Sequence, residues 1–302
     1  MEISDEIILK VGEVLNDNSR PLKERFRALF TLRNIGGDTA IKLISDCFSD
    51  SSALLKHELA YCLGQMQDTR AIPILENVLK NNSENSMVRH EAAEALGAIG
   101  SESSLQILKD FSDDVAQEVA ETCQLAVNRI EWLQSNSNKS NCKSLYLSVD
   151  PAPPENSQNV SQLKATLLND NENLFNRYKA MFALRDLQTT ESILALCEGL
   201  FVGSALFRHE IAFVLGQLQN SHSVPALTKC LSDLNQHEMV RHECAEALGS
   251  IASSDCTDTL KRFLNDDSRV VRESCEVALD MADYESSFDF QYANTATIVA
   301  SA

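Results

Sequence analysis

The chain has 302 residues, with 26 Lys or Arg against 44 Asp or Glu, which gives a formal net charge of −18 and a pI near 4.7. So acidic a surface repels the phosphates of nucleic acids and anionic membranes, which argues against a general binder of either. No run approaches 18 consecutive apolar residues, and the start of the chain is acidic, so neither a membrane span nor a secretory signal is expected.

Nine cysteines are scattered singly along the chain, and no CxxC motif occurs. This pattern is typical of a reduced protein with buried thiols, not of a disulfide framework or a thiolate zinc site. We therefore expect a cytoplasmic protein, with presence in the nucleus left open.

Residues 1–134 have the pattern of helical hairpins. Residues 72–79 place a proline near a first helical turn and continue with apolar residues three and four apart. Residues 91–100 carry Ala and Leu at helical spacing and end on a glycine, whereas strand signals are missing. Similar segments recur at intervals of about 33 residues, which predicts four helix–turn–helix repeats.

Residues 135–160 contain three of the six prolines and many Ser and Asn residues. This composition predicts a flexible linker that would let the two halves of the chain face each other.

Residues 161–284 repeat the first half at an offset of 152 residues. Residues 87–97 and 239–249, for example, are identical at all but one position. The sequence therefore predicts an all-α fold, an α-solenoid of eight HEAT-like helical-hairpin repeats in two pseudo-symmetric halves. Residues 285–302 lose the period and are rich in Ser, Thr and Ala, so we expect a disordered tail.

Five of the six histidines are each followed by Glu, and four of these pairs occupy equivalent positions in the second and third repeats of each half, whereas His237-Glu238 has no counterpart in the first half. A capping or ion-pair ladder would also accept Asp, Ser or Gln there, and it would not require His. Side chains on stacked helices about 10 Å apart can converge, so this two-by-two arrangement favours a ligand cluster. The four equivalent pairs are His57-Glu58, His90-Glu91, His209-Glu210 and His242-Glu243.

Four imidazoles with carboxylates and no thiolate indicate a nitrogen and oxygen metal site. Two His and one carboxylate with open positions are usual for non-haem Fe(II), whereas structural zinc favours four closed ligands and often Cys. Two such sets predict a dinuclear centre with one set per half, and two glutamates remain to hold a cationic substrate. Gly64 and Gly216 lie seven residues after a histidine, where they could leave an open lane beside the metals or serve as helix caps or close-packing positions.

These repeats and His-Glu pairs resemble the deoxyhypusine hydroxylase family over nearly the whole chain, except the linker and tail. The resemblance implies hydroxylation of the deoxyhypusine side chain of the translation factor 5A precursor, which completes hypusine, with two Fe2+ ions and O2 as co-substrate. It implies no catalytic residue beyond the metal ligands. The implied iron ligands are His57, His90, Glu91, His209, His242 and Glu243, and the implied substrate-binding residues are Glu58, Glu210, Gly64 and Gly216.

Three other functions are compatible with parts of the pattern. One is a metal-free HEAT scaffold that binds a basic protein partner, and another is a HEAT-repeat lyase or chaperone of the chromophore-binding type. The third is a dinuclear hydrolase, which would turn over without O2. Iron content and dependence on O2 separate all three from a hydroxylase.

Overall fold

The computed structural model describes residues 3–136 and 145–301. These residues form α-helices joined by short turns, and the described part of the chain contains no β-strand. The chain divides into two compact units. Unit 1 is Met1–Ser135 together with Phe288–Ala302, and unit 2 is Asn136–Ser287.

In unit 1 the helices follow one another as antiparallel pairs, and the second helices of successive pairs pack side by side. The helices are α1 (Asp5–Asn16), α2 (Leu22–Ile35), α3 (Gly37–Asp46), α4 (Ala53–Gln65), α5 (Ile72–Lys80), α6 (Ser86–Ile99), α7 (Leu105–Asp110) and α8 (Gln117–Ser135), with α17 (Thr295–Ser301) from the end of the chain.

Unit 2 has the same order. Its helices are α9 (Val160–Leu167), α10 (Leu174–Leu187), α11 (Thr190–Gly199), α12 (Ala205–Leu218), α13 (Val224–Ser232), α14 (Glu238–Ile251), α15 (Ser254–Arg262) and α16 (Arg269–Glu285). No helix among the residues that the structure describes is long and apolar enough to cross a membrane.

Polar residues at the helix starts explain where the pairs begin. The Ser52 side chain accepts a hydrogen bond from the Leu55 amide at the start of α4, and Asn85 caps α6 in the same way. Helix α6 ends at Gly100 in the left-handed conformation, with φ of 75°. At the same place after α14, Ala252 adopts a φ of 57°, although its Cβ makes this conformation costly.

Glycines set how closely the second helices approach. A Cβ on Gly64 of α4 would lie 2.7 Å from the Ala95 Cα of α6, a distance that no ordinary contact allows. Gly97 of α6 faces Ala126 of α8 in the same way. In unit 2 the corresponding contacts join Gly216 to Ala247 and Gly249 to Ala278. The four glycines therefore lie inside helices and permit close packing.

A buried arginine also ties α6 and α14 to their neighbours. Arg89 donates from Nε to the Leu79 carbonyl (3.0 Å) and pairs with Asp114 at 2.6 Å. This hydrogen bond from Arg89 holds the pKa of Asp114 below its usual value. In unit 2, Arg241 makes the equivalent contact with Asp266 at 2.5 Å. The first turns of α6 and α14 are thus fixed by the same clamp.

The described part of the predicted linker is held on unit 2. Residues 137–144 lie outside the described residues, but Asp150 pairs at 2.7 Å with Arg185, whose side chain is fully buried. Glu155 pairs with Lys179 at 2.7 Å, and the Ser148 hydroxyl accepts a hydrogen bond from Gln217. The expectation of flexibility therefore does not hold for residues 145–155, because a buried guanidinium requires the Asp150 carboxylate.

The end of the chain packs on unit 1, whereas its composition predicts a disordered tail. The Tyr292 ring contacts the Phe30 ring at 6.1 Å between centroids and lies under the Arg27 guanidinium. The Thr295 amide donates to the Thr31 hydroxyl at 3.3 Å, and α17 packs on α1 and α2. The structure differs from the prediction because Tyr292 and Thr295 contact side chains of α2, which composition does not indicate.

Candidate metal centre

The four His-Glu pairs lie in the first half of α4, α6, α12 and α14. All eight residues are buried, and none is more than 7% exposed. Four carboxylates taken out of water are costly unless cations or hydrogen-bond donors neutralise them. This cost indicates a site that holds positive charge, since a capping ladder would leave the same residues at the surface.

In unit 1 two neighbouring helices bring their pairs together. His57 Nε2 of α4 lies 3.1 Å from Glu91 Oε2 of α6, and the rings of His57 and His90 are 5.4 Å apart between centroids. Glu58 Oε1 lies 3.3 Å from the other ring nitrogen of His57, Nδ1. The two carboxylates therefore approach opposite edges of one imidazole, so the first and second glutamates of the unit occupy different positions.

Unit 2 repeats the contact between its two pairs and the spacing of the two imidazole rings. His209 Nε2 lies 3.3 Å from Glu243 Oε2, and the rings of His209 and His242 are 5.2 Å apart. His209, His242 and Glu243 each offer a ligand atom within 4.8 Å of the others, so this set can hold a metal ion. The prediction grouped the same three residues. Glu210 is buried beside them, at 3% exposure.

In unit 1 a metal-capable group of the same dimensions consists of His90, Glu91 and Glu94. Glu94 was not among the predicted site residues. It lies one helical turn after His90, and Glu246 has the same relation to His242, so an H-E-x-x-E pattern in both halves was the available signal.

The surroundings of His57 favour positive charge. Burial alone would lower the pKa of this imidazole, but the Glu91 charge and the hydrogen bond with Glu58 raise the pKa well above its ordinary value. A proton held between two carboxylates has the charge of a cation in the same place. Metal binding there would displace this proton.

The cysteines take no part in these groups. The cysteines found free in the described residues are all buried, and burial raises the pKa of Cys123 and Cys275 to about 12. Such thiols stay protonated and do not bind metal readily. His222 and His237 are exposed, and His237 caps α14 through Nδ1, so neither histidine is near a metal set.

The two glycines predicted to shape a substrate lane are buried between helices. Gly64 and Gly216 lie two turns after His57 and His209, against Ala95 and Ala247. Of the open alternatives, the close-packing role is the one that the structure accounts for, because α4 and α6 must approach closely for the paired imidazoles to meet.

The donor set fits a non-haem iron ion. Each unit offers two imidazoles and a carboxylate without a thiolate, which is the usual ligand set for Fe(II) with open positions. Each unit also contains a buried carboxylate in addition to the one in its ligand set, Glu58 in unit 1 and Glu210 in unit 2. The residues therefore match the group that the resemblance implies.

Known proteins place the chain in a family. The HEAT repeats profile matches residues 42–128 and 193–280, and the PBS lyase HEAT-like repeat profile matches residues 177–201. This confirms the predicted all-α HEAT-repeat fold, while the number of eight repeats stays a prediction.

Deoxyhypusine hydroxylase of Drosophila melanogaster is 58% identical over 293 residues, 97% of each chain. The Homo sapiens enzyme is 56% identical, over 97% of this chain and 96% of its own. A structure of human deoxyhypusine hydroxylase in complex with glycerol matches with a TM-score of 0.91 at 56% identity, over 92% of this chain and 96% of that chain. The chain therefore belongs to the deoxyhypusine hydroxylases, a family of HEAT-repeat enzymes.

Proposed function

We propose that the chain hydroxylates the deoxyhypusine side chain of the translation factor 5A precursor and so completes hypusine, using two iron ions and O2. The observation that carries this proposal is the repeated contact between a histidine and the glutamate of the next helix pair. His57 meets Glu91 at 3.1 Å, and His209 meets Glu243 at 3.3 Å. Identity of 56–58% to named deoxyhypusine hydroxylases over nearly the full length supports the reaction.

Each unit supplies the ligands of one iron ion in this proposal. The proposed sets are His57, His90 and Glu91 in unit 1 and His209, His242 and Glu243 in unit 2. The contacts between Nε2 and Oε2 support this division, since both atoms would face the same ion. When bound, the iron ions activate O2 for hydroxylation of an aliphatic carbon.

The remaining glutamates, Glu58 and Glu210, bind the amines of the substrate arm. A carboxylate holds a protonated amine through short, charge-assisted hydrogen bonds, and at 7% and 3% exposure both groups are shielded from competing water. Glu58 lies beside Nδ1 of His57, whereas Glu91 lies beside Nε2. The proposed amine site and the proposed metal site are therefore on opposite edges of this imidazole ring. The deoxyhypusine side chain of the substrate is thereby held at a fixed distance from the metal ligands.

Gly64 and Gly216 shape the substrate lane indirectly. They allow the helices that carry the paired histidines to pack closely, so the position of the lane depends on them although they do not line it. The net charge of −18 attracts the cationic arm of the partner protein and disfavours nucleic acids and anionic membranes.

In this proposal the metal ligands and substrate-binding residues belong to two repeat arrays, residues 1–134 and 161–284, joined through residues 135–160 and followed by residues 285–302. We place the reaction in the cytoplasm, because the free buried cysteines of the described residues suit a reducing compartment.

Iron content and product mass test the proposal together. The purified chain is reconstituted with Fe(II) without oxygen, and the iron per chain is measured. The deoxyhypusine-bearing partner is then added with O2, and its mass is expected to increase by one oxygen atom only when iron and O2 are both present. Absence of bound iron, or the same product without O2, would contradict the proposal, and the first outcome would favour a metal-free scaffold.

A further inference from the structure

A glutamate of α14 contacts a proposed metal ligand of the same helix. Glu246 Oε1 lies 3.3 Å from His242 Nδ1, and the His242 side chain is fully buried. An ionised carboxylate only accepts hydrogen bonds, so this contact is a hydrogen bond when Nδ1 carries the proton. With the proton on Nδ1, the ring presents its Nε2 lone pair, which is the atom that a metal ion needs.

A second side chain fixes the carboxylate. The Ser274 hydroxyl of α16 donates to the same Oε1 of Glu246 at 3.3 Å. The Glu246 side chain is 14% exposed, so it lies between α14 and α16 and does not extend into solvent. Ser274, Glu246 and His242 therefore form a chain of contacts that ends on the metal set.

A glutamate four residues after the histidine occurs on two of the four helices that carry His-Glu pairs. Glu246 and Glu94 lie four residues after His242 and His90, on α14 and α6. The same position holds Phe213 on α12 and Tyr61 on α4. In unit 1, Glu94 offers a carboxylate oxygen within 4.8 Å of the ligand atoms of His90 and Glu91, as a member of the metal-capable group of that unit.

We propose that Glu246 is a positioning residue that holds the imidazole of His242 with the metal-binding nitrogen facing the ion. This inference rests on the proposed metal sets. Carboxylates that accept from the second nitrogen of a ligating histidine fix its tautomer and ring orientation and raise its basicity.

Metal affinity without turnover tests this proposal. Fe(II) affinity is measured without oxygen by competition with a coloured chelator, for the wild type and for Glu246→Ala and Glu246→Gln. Glu246→Ala should weaken binding at one of the two ions about 10- to 100-fold. Glu246→Gln should recover most of this loss, because its amide oxygen can still accept from Nδ1.

Glu276→Gln is the matched control. This glutamate is exposed on α16, and its substitution removes the same charge without touching a metal set. Its Fe(II) affinity should equal that of the wild type. The thermal midpoint of each metal-free variant is measured alongside, to separate loss of metal affinity from loss of fold.

A spectroscopic readout addresses the tautomer itself. In the Zn(II)-loaded, 15N-labelled protein, long-range proton–nitrogen spectra should show His242 with a protonated Nδ1 in the wild type, and this proton should exchange faster in Glu246→Ala. Wild-type affinity in Glu246→Ala would overturn the inference while the proposed function stands. Equal losses in the Ala and Gln variants, following their thermal midpoints, would also overturn it. A wild-type protein that binds neither metal would overturn the proposed function and this inference with it.

Discussion

His57 Nε2 lies 3.1 Å from Glu91 Oε2, although the two residues are 34 positions apart and lie on different helices. The equivalent atoms of His209 and Glu243 are 3.3 Å apart. The glutamate of one His-Glu pair therefore contacts the histidine of the preceding pair in the sequence. This relation explains why the pairs occur in adjacent repeats, since a single pair could not make the contact.

Replacement of His57 by alanine should remove one iron ion and leave the other. The substitution deletes the imidazole that meets Glu91, whereas the set of unit 2 is intact. We expect about one iron ion per chain after anaerobic reconstitution and loss of hydroxylation. Iron is measured by elemental analysis on the purified protein.

His222→Ala is the matched control for this change. His222 is exposed and bonds only to Asn220 among the contacts found in the described residues, so its loss should leave two iron ions per chain. Equal iron contents in His57→Ala and His222→Ala would show that His57 is not a ligand.

Replacement of Gly64 by alanine should destabilise unit 1. The added Cβ would lie 2.7 Å from the Ala95 Cα, and backbone cannot move aside as a flexible side chain can. We expect a loss of about 1–3 kcal/mol in the free energy of unfolding. Because α4 and α6 are forced apart, iron content should fall as well. Urea unfolding of the metal-free protein measures the first effect.

Gly216→Ala provides the comparison within the same chain. Its added Cβ would lie 3.1 Å from the Ala247 Cα, so the neighbouring helix needs to shift less. The destabilisation should be smaller than at Gly64. If the two variants lost equal stability, the clash distances would not be the cause.

Replacement of Ala252 by glycine should stabilise the protein. Ala252 holds a φ of 57°, which disfavours any residue with a Cβ, while Gly100 has a φ of 75° at the equivalent position of unit 1. We expect a gain of about 1 kcal/mol in the free energy of unfolding. Gly100→Ala should change it in the opposite direction, and a shift of the same sign in both variants would contradict the explanation. Denaturant unfolding measures both changes in stability, with the dependence of the unfolding free energy on denaturant concentration held equal between variants.

Replacement of Asp114 by asparagine should remove an acid-sensitive part of the stability. The hydrogen bond from Arg89 lowers the pKa of Asp114 below its ordinary value of 3.8, so the carboxylate stabilises the folded state fully above that value. Its contribution is lost as the pH falls through the lowered pKa. At neutral pH, loss of one partner of this buried pair should cost about 3 kcal/mol.

The unfolding free energies of the wild type and Asp114→Asn should therefore converge at low pH. Urea unfolding between pH 7 and pH 3 measures the difference between them. A difference that stays constant below the ordinary pKa would show that the Asp114 charge does not stabilise the fold.

The sequence predicts the helices and the site to different degrees. The period near 33 residues and the offset of 152 residues predict the paired helices, because each unit must bury one face on the next. The His-Glu pairs recur at matching positions of both halves. This recurrence indicates a functional site, because the packing of a repeat helix does not require His next to Glu. The proposed division of the glutamates rests on the family resemblance and on contacts between helices, which spacing along one helix does not contain.

Other features depend on contacts that composition conceals. The only signal for Glu94 and Glu246 is their repeated spacing of four residues from His90 and His242, which is weak because glutamates are common on helices. Asp150 lies among Ser and Pro residues typical of a linker, yet it is fixed by Arg185, 35 residues later. Ala252 adopts the left-handed conformation at a position where glycine would be expected, so the residue type does not predict this conformation.

Tyr292 and Thr295 bind to α2 near the start of the chain, and this contact has a consequence for the order in which the protein is built. The ribosome releases the helices of residues 5–135 first, but the segment that covers Arg27, Phe30 and Thr31 emerges after the whole of unit 2. Unit 1 therefore remains incomplete throughout synthesis of the second half. Its final contacts form only when both halves of the duplicated sequence have been made.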